Sequence, residues 1–402
     1  MTEADGRLLV GDLAELMIGV VGGGQLAQML INAAHRRGIS VAIQTSSRQD
    51  PAAGEAERIV IADPKDAVAT HHLISDCNSI TFENEWINVD ALLPFEQQGF
   101  YFTPSLSALS HLVDKKSQRR LLDNLGIPCP EWIPLTNISP VSPSLPPSWK
   151  FPVMAKACRG GYDGKGTCVV HSIADLSWLI NSTRADEWIL EAWVHFEQEL
   201  ALVASRDADY HIRSLPLCET YQASQICDWV LAPAAVSQSV QAFAYNIAAS
   251  LLTHLNYIGV LALEFFYGPR GLQVNEIAPR VHNSGHFSIE ACSSSQFDQQ
   301  ICIAAGLSVP EPKLLVPGAV MVNLLGLNPK TSSPLQERLQ QLHQIKGADV
   351  HWYGKSGETV GRKLGHVTVV LNETDALSQR RQAIYLRDMI RTIWPFPVLT
   401  DA

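Results

Sequence analysis

Residues 153–170 read VMAKACRGGYDGKGTCVV, which places a glycine-rich stretch between two short apolar runs. Four glycines occur within the seven positions that begin at Gly160, with Lys156 ahead of them and Lys165 among them. A loop of this composition can close over a polyphosphate through its amide groups, while the lysines neutralise charge. It is not a G-x-x-x-x-G-K-[ST] loop, and a glycine-rich hairpin with solvated lysines is the alternative. We predict a small antiparallel lobe over about residues 150–205.

The segment upstream alternates short apolar runs with a helical pattern. The predicted strands are 17–21, 40–44, 58–62 and 79–83, and the first predicted helix is 25–37. This alternation is typical of α/β proteins and implies a parallel, doubly wound sheet over about residues 17–112.

Between the first strand and helix lies GGGQLA, residues 22–27, which fits G-x-G-x-x-[GA]. Such a loop lets backbone amides and a helix N-terminus meet a phosphate. Dinucleotide binding also requires an acidic residue about 20 positions on, at the end of the second strand. That strand ends instead in Thr45-Ser46. The pattern therefore favours a phosphate-bearing small molecule over NAD, and Gln25 adds a side-chain donor and acceptor.

Two carboxylates stand in neighbouring apolar runs further on, Glu264 within LALEFF and Glu276 within VNEI. Carboxylates in such strands are costly unless they are paired or bind a cation. Asn275 supplies another oxygen, and oxygen ligands suit Mg²⁺. The alternative is a carboxylate satisfied by an arginine. Arg280 follows closely, and we interpret it as an anion-stabilising cation beside the metal.

Two further loops carry polar side chains. His282 and His286 have the i, i+4 spacing of metal ligands, but the intervening Asn-Ser-Gly indicates a loop, so contact with a substrate is favoured over zinc. Lys355 and Arg362 lie in glycine-bordered loops and are candidates for a phosphate clamp, with solvated surface charge as the alternative.

Composition limits the functions open to the chain. Its 402 residues carry a net charge of −10, so we expect neither nucleic acid nor an anionic membrane as partner, and an anionic substrate needs a local basic pocket. No apolar run approaches the roughly 18 residues of a membrane span. The first residues do not resemble a signal peptide, and the eight cysteines lack zinc-site spacing. We therefore predict a cytoplasmic protein with reduced thiols.

Taken in order, the strings GGGQLAQML, GGYDGKG, VNEIAPRVHNSGH and VGRKLGH resemble the ATP-grasp enzymes, and most closely the 5-(carboxyamino)imidazole ribonucleotide synthases. The resemblance implies an α/β ATP-grasp fold with a Rossmann-like N-terminal domain and a small mixed C-terminal domain. The implied divisions are an N-terminal extension 1–16, a pre-ATP-grasp domain 17–112, an ATP-grasp domain 113–318 and a C-terminal domain 319–402.

That family carboxylates the exocyclic amine of 5-aminoimidazole ribonucleotide with bicarbonate at the expense of ATP, and the resemblance implies Mg²⁺, two ions, and a homodimer. The implied ATP contacts are Lys115, Lys156, Gly161, Tyr162, Asp163, Gly164, Lys165, Gly166, Thr167, Glu191, Ala192, Trp193, Val194, Glu199, Gln222, Asn275 and Glu276. The implied contacts to the ribonucleotide and bicarbonate are Gln25, Leu26, Glu83, Tyr162, Asp163, Arg280, His282, Asn283, Lys355 and Arg362. The implied metal ligands are Glu264 and Glu276, and the expected catalytic residues are Arg280, Lys156 and Asp163.

Some positions depart from the family pattern: Thr167 stands where Gln is usual and Gln222 where His is common. The main rival is another ATP-grasp ligase, such as a formate-dependent glycinamide ribonucleotide transformylase. An NAD-dependent oxidoreductase is disfavoured by the missing acid after the second strand. A non-catalytic ATP-binding protein would be expected to have lost Glu264, Glu276 or Lys156, and all three are present.

Overall fold

The structure is a computed structural model that describes residues 15–161, 166–328 and 333–398. Within these ranges the chain forms three sheets. None of the helices found there is long and apolar enough to cross a membrane. Most of the predicted N-terminal extension, and four residues of the glycine-rich loop (162–165), lie outside the described ranges.

The first sheet is parallel and has the strand order β3-β2-β1-β4-β5. Its strands are β1 (Met17–Val21), β2 (Ser40–Thr45), β3 (Arg58–Ile61), β4 (Ser79–Phe82) and β5 (Phe102–Thr103), and its helices are α1 (Gln25–His35), α2 (Ala67–Ile74), α3 (Val89–Gln97) and α4 (Leu106–Ser110). The predicted doubly wound sheet is confirmed. Because the order reverses between β1 and β4, their carboxyl ends form the crevice where such sheets place their functional groups. The residues that follow these two strands are Gly22 and Glu83.

The second sheet is small and antiparallel, with the order β6-β9-β7-β8. Its strands are β6 (Trp132–Pro134), β7 (Val153–Ala157), β8 (Thr167–Val170) and β9 (Trp188–Ala192), and α6 (Ile173–Ser182) connects the last two. The glycine-rich segment joins β7 to β8 as predicted. The sheet begins and ends earlier in the chain than the predicted lobe of about 150–205.

The third sheet follows the path β15-β14-β10-β12-β13-β16-β18-β17, with β11 paired to β10. Its strands are β10 (Gln198–Arg206), β11 (Ile212–Ser214), β12 (Cys218–Ala223), β13 (Ile226–Ala232), β14 (Gly259–Gly268), β15 (Gly271–Ala278), β16 (Gly318–Leu325), β17 (Ala348–Trp352) and β18 (Lys363–Leu371). Its helices are α5 (Lys115–Asn124), α7 (Gln238–His254), α8 (Ser288–Ala291), α9 (Gln296–Ala304), α10 (Leu335–His343) and α11 (Ala376–Ile393). The strands predicted to form a separate C-terminal unit therefore continue the sheet that carries Glu264 and Glu276.

One apolar core joins the first sheet to the third. Leu30 of α1 and Phe297 of α9 lie in the same buried cluster as Val203 of the large sheet. Polar contacts reinforce this packing, since Ser79 Oγ donates to the Ala304 carbonyl at 2.6 Å and Gln300 Nε2 donates to Thr81 Oγ1 at 2.9 Å. The carboxyl ends of β1 and β4 are thereby fixed relative to the large sheet.

A separate core holds α10 and α11 against β16 and β18. Trp394, which is fully buried just after α11, donates from Nε1 to the Leu325 carbonyl at 2.7 Å and lies under the Arg338 guanidinium at 3.9 Å.

We expect Trp394→Ala to lower the free energy of unfolding by about 3–5 kcal/mol, because it leaves a cavity and an unpaired carbonyl. Urea denaturation followed by circular dichroism measures this.

Tyr385→Ala is the matched control, because Tyr385 lies on α11 with 65% of its surface exposed. We expect a change within about 0.5 kcal/mol for that variant. Equal effects of the two substitutions would contradict the assignment of Trp394 to the C-terminal core.

Candidate functional site

A buried network of charges connects the small sheet to the large one. Glu191 of β9, 2% exposed, accepts from Arg119 of α5 at 2.6 Å and from Lys156 Nζ of β7 at 2.7 Å. Lys156 Nζ also donates to Asn275 Oδ1 of β15 at 2.9 Å. Arg119 completes the network by donating to the carbonyls of Val274 and Asn275. Burial lowers the pKa of Lys156, and the Glu191 carboxylate opposes that effect.

Lys115 and Glu276 extend this network toward solvent. Lys115 is the first residue of α5, whose N-terminus is capped by the Asp114 side chain. Its Nζ lies 2.6 Å from Glu276 Oε1, and this ammonium holds the pKa of Glu276 below its usual range despite burial. Two lysines therefore converge at the end of β15, which forms the local basic pocket that an acidic protein needs in order to bind a polyphosphate.

Glu264 and Glu276 stand directly opposite each other on β14 and β15. Opposed residues of antiparallel strands project from the same face, so the two carboxylates are neighbours. Burial and the Glu276 charge raise the pKa of Glu264 to about 7. Glu199 of β10 lies on the same face, diagonal to Glu264, and burial together with the Glu264 charge raises its pKa to about 7 as well.

This arrangement fits a divalent cation, because buried like-charged oxygens are stabilised by a positive ion between them. Asn275 adds an amide, whose Nδ2 lies 3.5 Å from Glu264 Oε2. In the described part of the chain, no group of three or more His, Cys, Asp or Glu side chains is placed to hold a metal. Glu264 and Glu276 would thus be two ligands of a site that phosphate and water oxygens complete.

Arg280, two residues after β15, is held by a carboxylate that sequence reasoning did not single out. Its Nε lies 2.6 Å from Glu85 Oε2, and its Nη1 donates to the Val281 carbonyl at 3.2 Å. Burial acts to lower the pKa of Arg280, but the charge and hydrogen bond of Glu85 together with the charges of Glu276 and Glu83 outweigh it, and the pKa is raised. Glu85 follows β4, so this contact joins the first sheet to the third.

Glu83, also just after β4, occupies the glycine loop. Its carboxylate accepts from the amides of Gly24 at 2.6 Å and Leu26 at 3.2 Å. A Cβ at Gly24 would lie 2.4 Å from Glu83 Oε1, and one at Gly23 would lie 2.2 Å from Thr45 Oγ1. The glycines therefore make room for side chains of the protein itself. A phosphate on these two amides would have to displace the Glu83 carboxylate, and binding of a phosphate-bearing molecule by this loop stays a prediction.

The segment after Arg280 is well anchored, and it is not a plain loop as predicted, because Asn283–Gly285 form one turn of 3-10 helix. His282 Nδ1 lies 2.9 Å from Ser284 Oγ, its Nε2 lies 3.5 Å from Glu264 Oε1, and burial lowers its pKa well below the usual range. Asn283 exchanges amide hydrogen bonds with the buried Asn323 of β16 at 2.9 and 2.7 Å. His286 is buried and packs against His366 of β18.

The two cations of the C-terminal segment lie on one loop. Lys355 Nζ donates to the Lys363 carbonyl at 2.7 Å, and its charge acts on the carboxylate of Glu83. Arg362 is exposed, and its Nη1 donates to the Ser356 carbonyl at 3.3 Å.

The segment Glu191 to Val194, predicted to contact ATP, leaves the small sheet at Ala192. Glu191 itself is engaged by the two cations, while Trp193 is 39% exposed and Val194 is partly buried. At the far side of the glycine-rich loop, Thr167 Oγ1 donates to Gln225 Oε1 at 2.6 Å, on the turn that follows Gln222. This contact ties the small sheet to β12 and β13.

Several predicted residues cannot be placed. Tyr162, Asp163, Gly164 and Lys165 lie outside the described residues, and Gly161 and Gly166 are the described residues on either side of them. Gln25 and Leu26 begin α1 beside Glu83. Sequence reasoning missed Glu85 and Arg119. Arg119 neighbours the buried Leu122 and Gln118 on the inward face of an amphipathic helix, which was a usable signal.

Three family models match successive parts of the chain. They are a ribonucleotide synthetase preATP-grasp domain over residues 16–112, an ATP-grasp domain over 120–297 and a phosphoribosylaminoimidazole carboxylase C-terminal domain over 319–380. The N5-carboxyaminoimidazole ribonucleotide synthase of Synechococcus elongatus is 42% identical over 94% of this chain and 96% of its own length.

Solved structures agree with these matches. Carboxyaminoimidazole ribonucleotide synthase from Aspergillus clavatus, complexed with ATP, superposes with a TM-score of 0.84 at 29% identity over 94% of this chain and 100% of that one. The same enzyme with ADP and 5-aminoimidazole ribonucleotide gives 0.82 at 28% identity, over 93% and 98%. The resemblance indicated by the motifs is confirmed: the chain belongs to the N5-carboxyaminoimidazole ribonucleotide synthase family of ATP-grasp enzymes.

Proposed function

We propose that this protein catalyses the ATP-dependent carboxylation of 5-aminoimidazole ribonucleotide by bicarbonate, releasing ADP and phosphate, in de novo purine biosynthesis. The observation that carries the proposal is the convergence of Lys115 and Lys156 on the oxygens of Glu276 and Asn275, with Arg280 two residues beyond the same strand. This arrangement has cations for a polyphosphate, oxygens for a metal and a guanidinium for a small anion.

The relatives support the substrates. One family member has been crystallised with ATP and another complex holds ADP and 5-aminoimidazole ribonucleotide. In the present chain, Glu85 after β4 contacts Arg280 after β15 at 2.6 Å, which supports a substrate site between these two strand ends. No observation in the described residues favours the formate-dependent transformylase, and the relative from Synechococcus elongatus is named N5-carboxyaminoimidazole ribonucleotide synthase.

The proposed reaction begins with transfer of the γ-phosphoryl group from ATP to an oxygen of bicarbonate, giving carboxyphosphate and ADP. The exocyclic amine then attacks the carboxyl carbon, or the CO₂ released from it, phosphate leaves, and the amine loses a proton. When bound, Mg²⁺ would neutralise phosphate charge between Glu264 and Glu276. Lys156 orients the phosphates, because its ammonium is fixed by Glu191 and Asn275. Arg280 stabilises the anionic intermediate.

The remaining assignments rest on the resemblance and on this geometry. We assign catalysis to Arg280, Lys156 and Asp163, and ATP contacts to the seventeen positions given above. We assign contacts with the ribonucleotide and bicarbonate to Glu83, His282, Asn283 and Lys355; the 3.5 Å approach of His282 Nε2 to Glu264 Oε1 and the charge of Lys355 acting on Glu83 support this assignment. We also propose two Mg²⁺ ions and a homodimer. A cytoplasmic location is proposed because none of the eight cysteines forms a disulfide.

The substrate assignment is tested by measuring ADP release with each candidate substrate pair. We expect release to require 5-aminoimidazole ribonucleotide together with bicarbonate, and formate with glycinamide ribonucleotide to give no stimulation. Stimulation by the second pair alone would move the assignment to the rival ligase.

Glu276→Gln tests the metal site. We expect turnover to fall by at least 10²-fold, because the amide removes one anionic ligand and the partner of Lys115, while the melting temperature stays near that of the wild type. Glu219→Gln is the control, since Glu219 lies on the same sheet but pairs with Arg380 of α11. Near-normal turnover of the Glu276 variant would remove the metal site from the mechanism.

The pH dependence of metal use follows from Glu264. A carboxylic acid with a pKa of about 7 is largely protonated and uncharged at pH 6 and ionised at pH 8. We therefore expect the half-saturating concentration of free Mg²⁺, measured by steady-state turnover at saturating ATP, to rise by up to about tenfold from pH 8 to pH 6. Glu264→Gln should need more Mg²⁺ at both pH values and lose this dependence. An equal requirement at both pH values in the wild type would refute the assignment.

A further inference from the structure

We propose that Glu85 is a positioning residue for Arg280, holding the guanidinium so that its outer edge faces bound bicarbonate and the carboxyphosphate formed from it. This inference rests on the proposed function. The two side chains are only 13% and 17% exposed, and their closest contact is the 2.6 Å pair between Glu85 Oε2 and Arg280 Nε.

The contact uses the inner edge of the guanidinium. A guanidinium has five N–H donors, of which Nε–H goes to Glu85 and one Nη1–H goes to the Val281 carbonyl. Within the described residues, these are the contacts that Arg280 donates, so three N–H donors remain, all of them on the two terminal nitrogens. End-on pairing through the two terminal nitrogens is a geometry in which arginine binds planar carboxylate-like anions bidentately.

The position of Glu85 makes this contact a link between two sheets. Glu83 and Glu85 belong to one bend after β4, and Glu83 is itself anchored on the amides that begin α1. Arg280 follows β15, whose Glu276 faces Lys115. Glu85 therefore fixes the guanidinium with respect to both the metal-binding strand and the cleft at β4. Without it, a long side chain with many rotamers would have to be ordered by the bound anion itself.

A competing role for Glu85 would be to occupy the anion site. The contact with Nε argues against this, because a carboxylate that mimicked bicarbonate would take the two terminal nitrogens. Positioning requires that residue 85 accept a hydrogen bond from Arg280 Nε. The amide oxygen of glutamine can also accept that bond.

Steady-state kinetics with bicarbonate varied in CO₂-depleted buffer test the inference. We expect Glu85→Ala to raise KM for bicarbonate at least tenfold, with KM for ATP changed less than threefold, and Glu85→Gln to stay within threefold of the wild type. In an Arg280→Ala background, Glu85→Ala should have no further effect, because Glu85 acts through Arg280.

Asp228→Ala is the matched control. Asp228 of β13 pairs with Arg391 of α11, the two side chains being 16% and 13% exposed, so this variant also breaks a long-range, partly buried ion pair, but outside the cleft. We expect unchanged KM for bicarbonate. Melting temperatures of all variants report on folding, and Glu85→Gln covers the case in which Glu85→Ala does not fold.

The inference is overturned by an unchanged or lowered KM for bicarbonate in Glu85→Ala, by loss in Glu85→Gln equal to that in Glu85→Ala, or by full additivity with Arg280→Ala. An equal rise in the Asp228 variant would also overturn it. Wild-type ADP release that does not depend on bicarbonate would instead refute the proposed function, and this inference with it.

Discussion

The arrangement of the cleft depends on the buried charge network of Arg119, Glu191 and Lys156. Removing ions from water costs several kcal/mol each unless they are paired, and here each partner lies on a different element: α5, β9 and β7. Asn275 connects the same lysine to β15. The small sheet cannot move away from the large one without leaving a charge unpaired in an apolar interior, so the network sets the distance between the glycine-rich loop and the metal-binding strands.

A second constraint comes from carboxylates that repel one another. In the protein without a cation, Glu264 and Glu199 have pKa values near 7, whereas their ordinary value is 4.5. The unfolded chain therefore loses these protons at a lower pH than the folded protein, and the stability of the cation-free state falls as the pH rises from 4.5 to about 7. A bound divalent ion reverses this preference by favouring the ionised oxygens. Part of the free energy of cation binding therefore comes from relieving the unfavourable burial and repulsion of Glu264 and Glu199.

Much of this could be predicted from the sequence, because strand and helix periodicity is local. The strands that hold Glu264 and Glu276 and the doubly wound sheet follow from short-range patterns. What could not be predicted depends on contacts between distant residues. Glu85 and Arg280 are in contact although they are 195 positions apart in the sequence, and Arg119 and Glu191 are 72 positions apart. Nothing in the local sequence distinguishes Glu85 from a solvated acid, and the pairing of the C-terminal strands with β13 is likewise a property of the tertiary fold.

The occupation of the amino-terminal glycine loop by Glu83 has a consequence for how such patterns are used. A glycine pattern before a helix is commonly scored as a nucleotide fingerprint, yet here the anion at the helix start belongs to the polypeptide. Searches that score G-x-G-x-x-[GA] without asking which residue ends the strand beside it will count such chains among the dinucleotide-binding proteins. An acidic residue at the end of the neighbouring strand would distinguish loops whose amides bind a carboxylate of the protein from loops whose amides bind a cofactor.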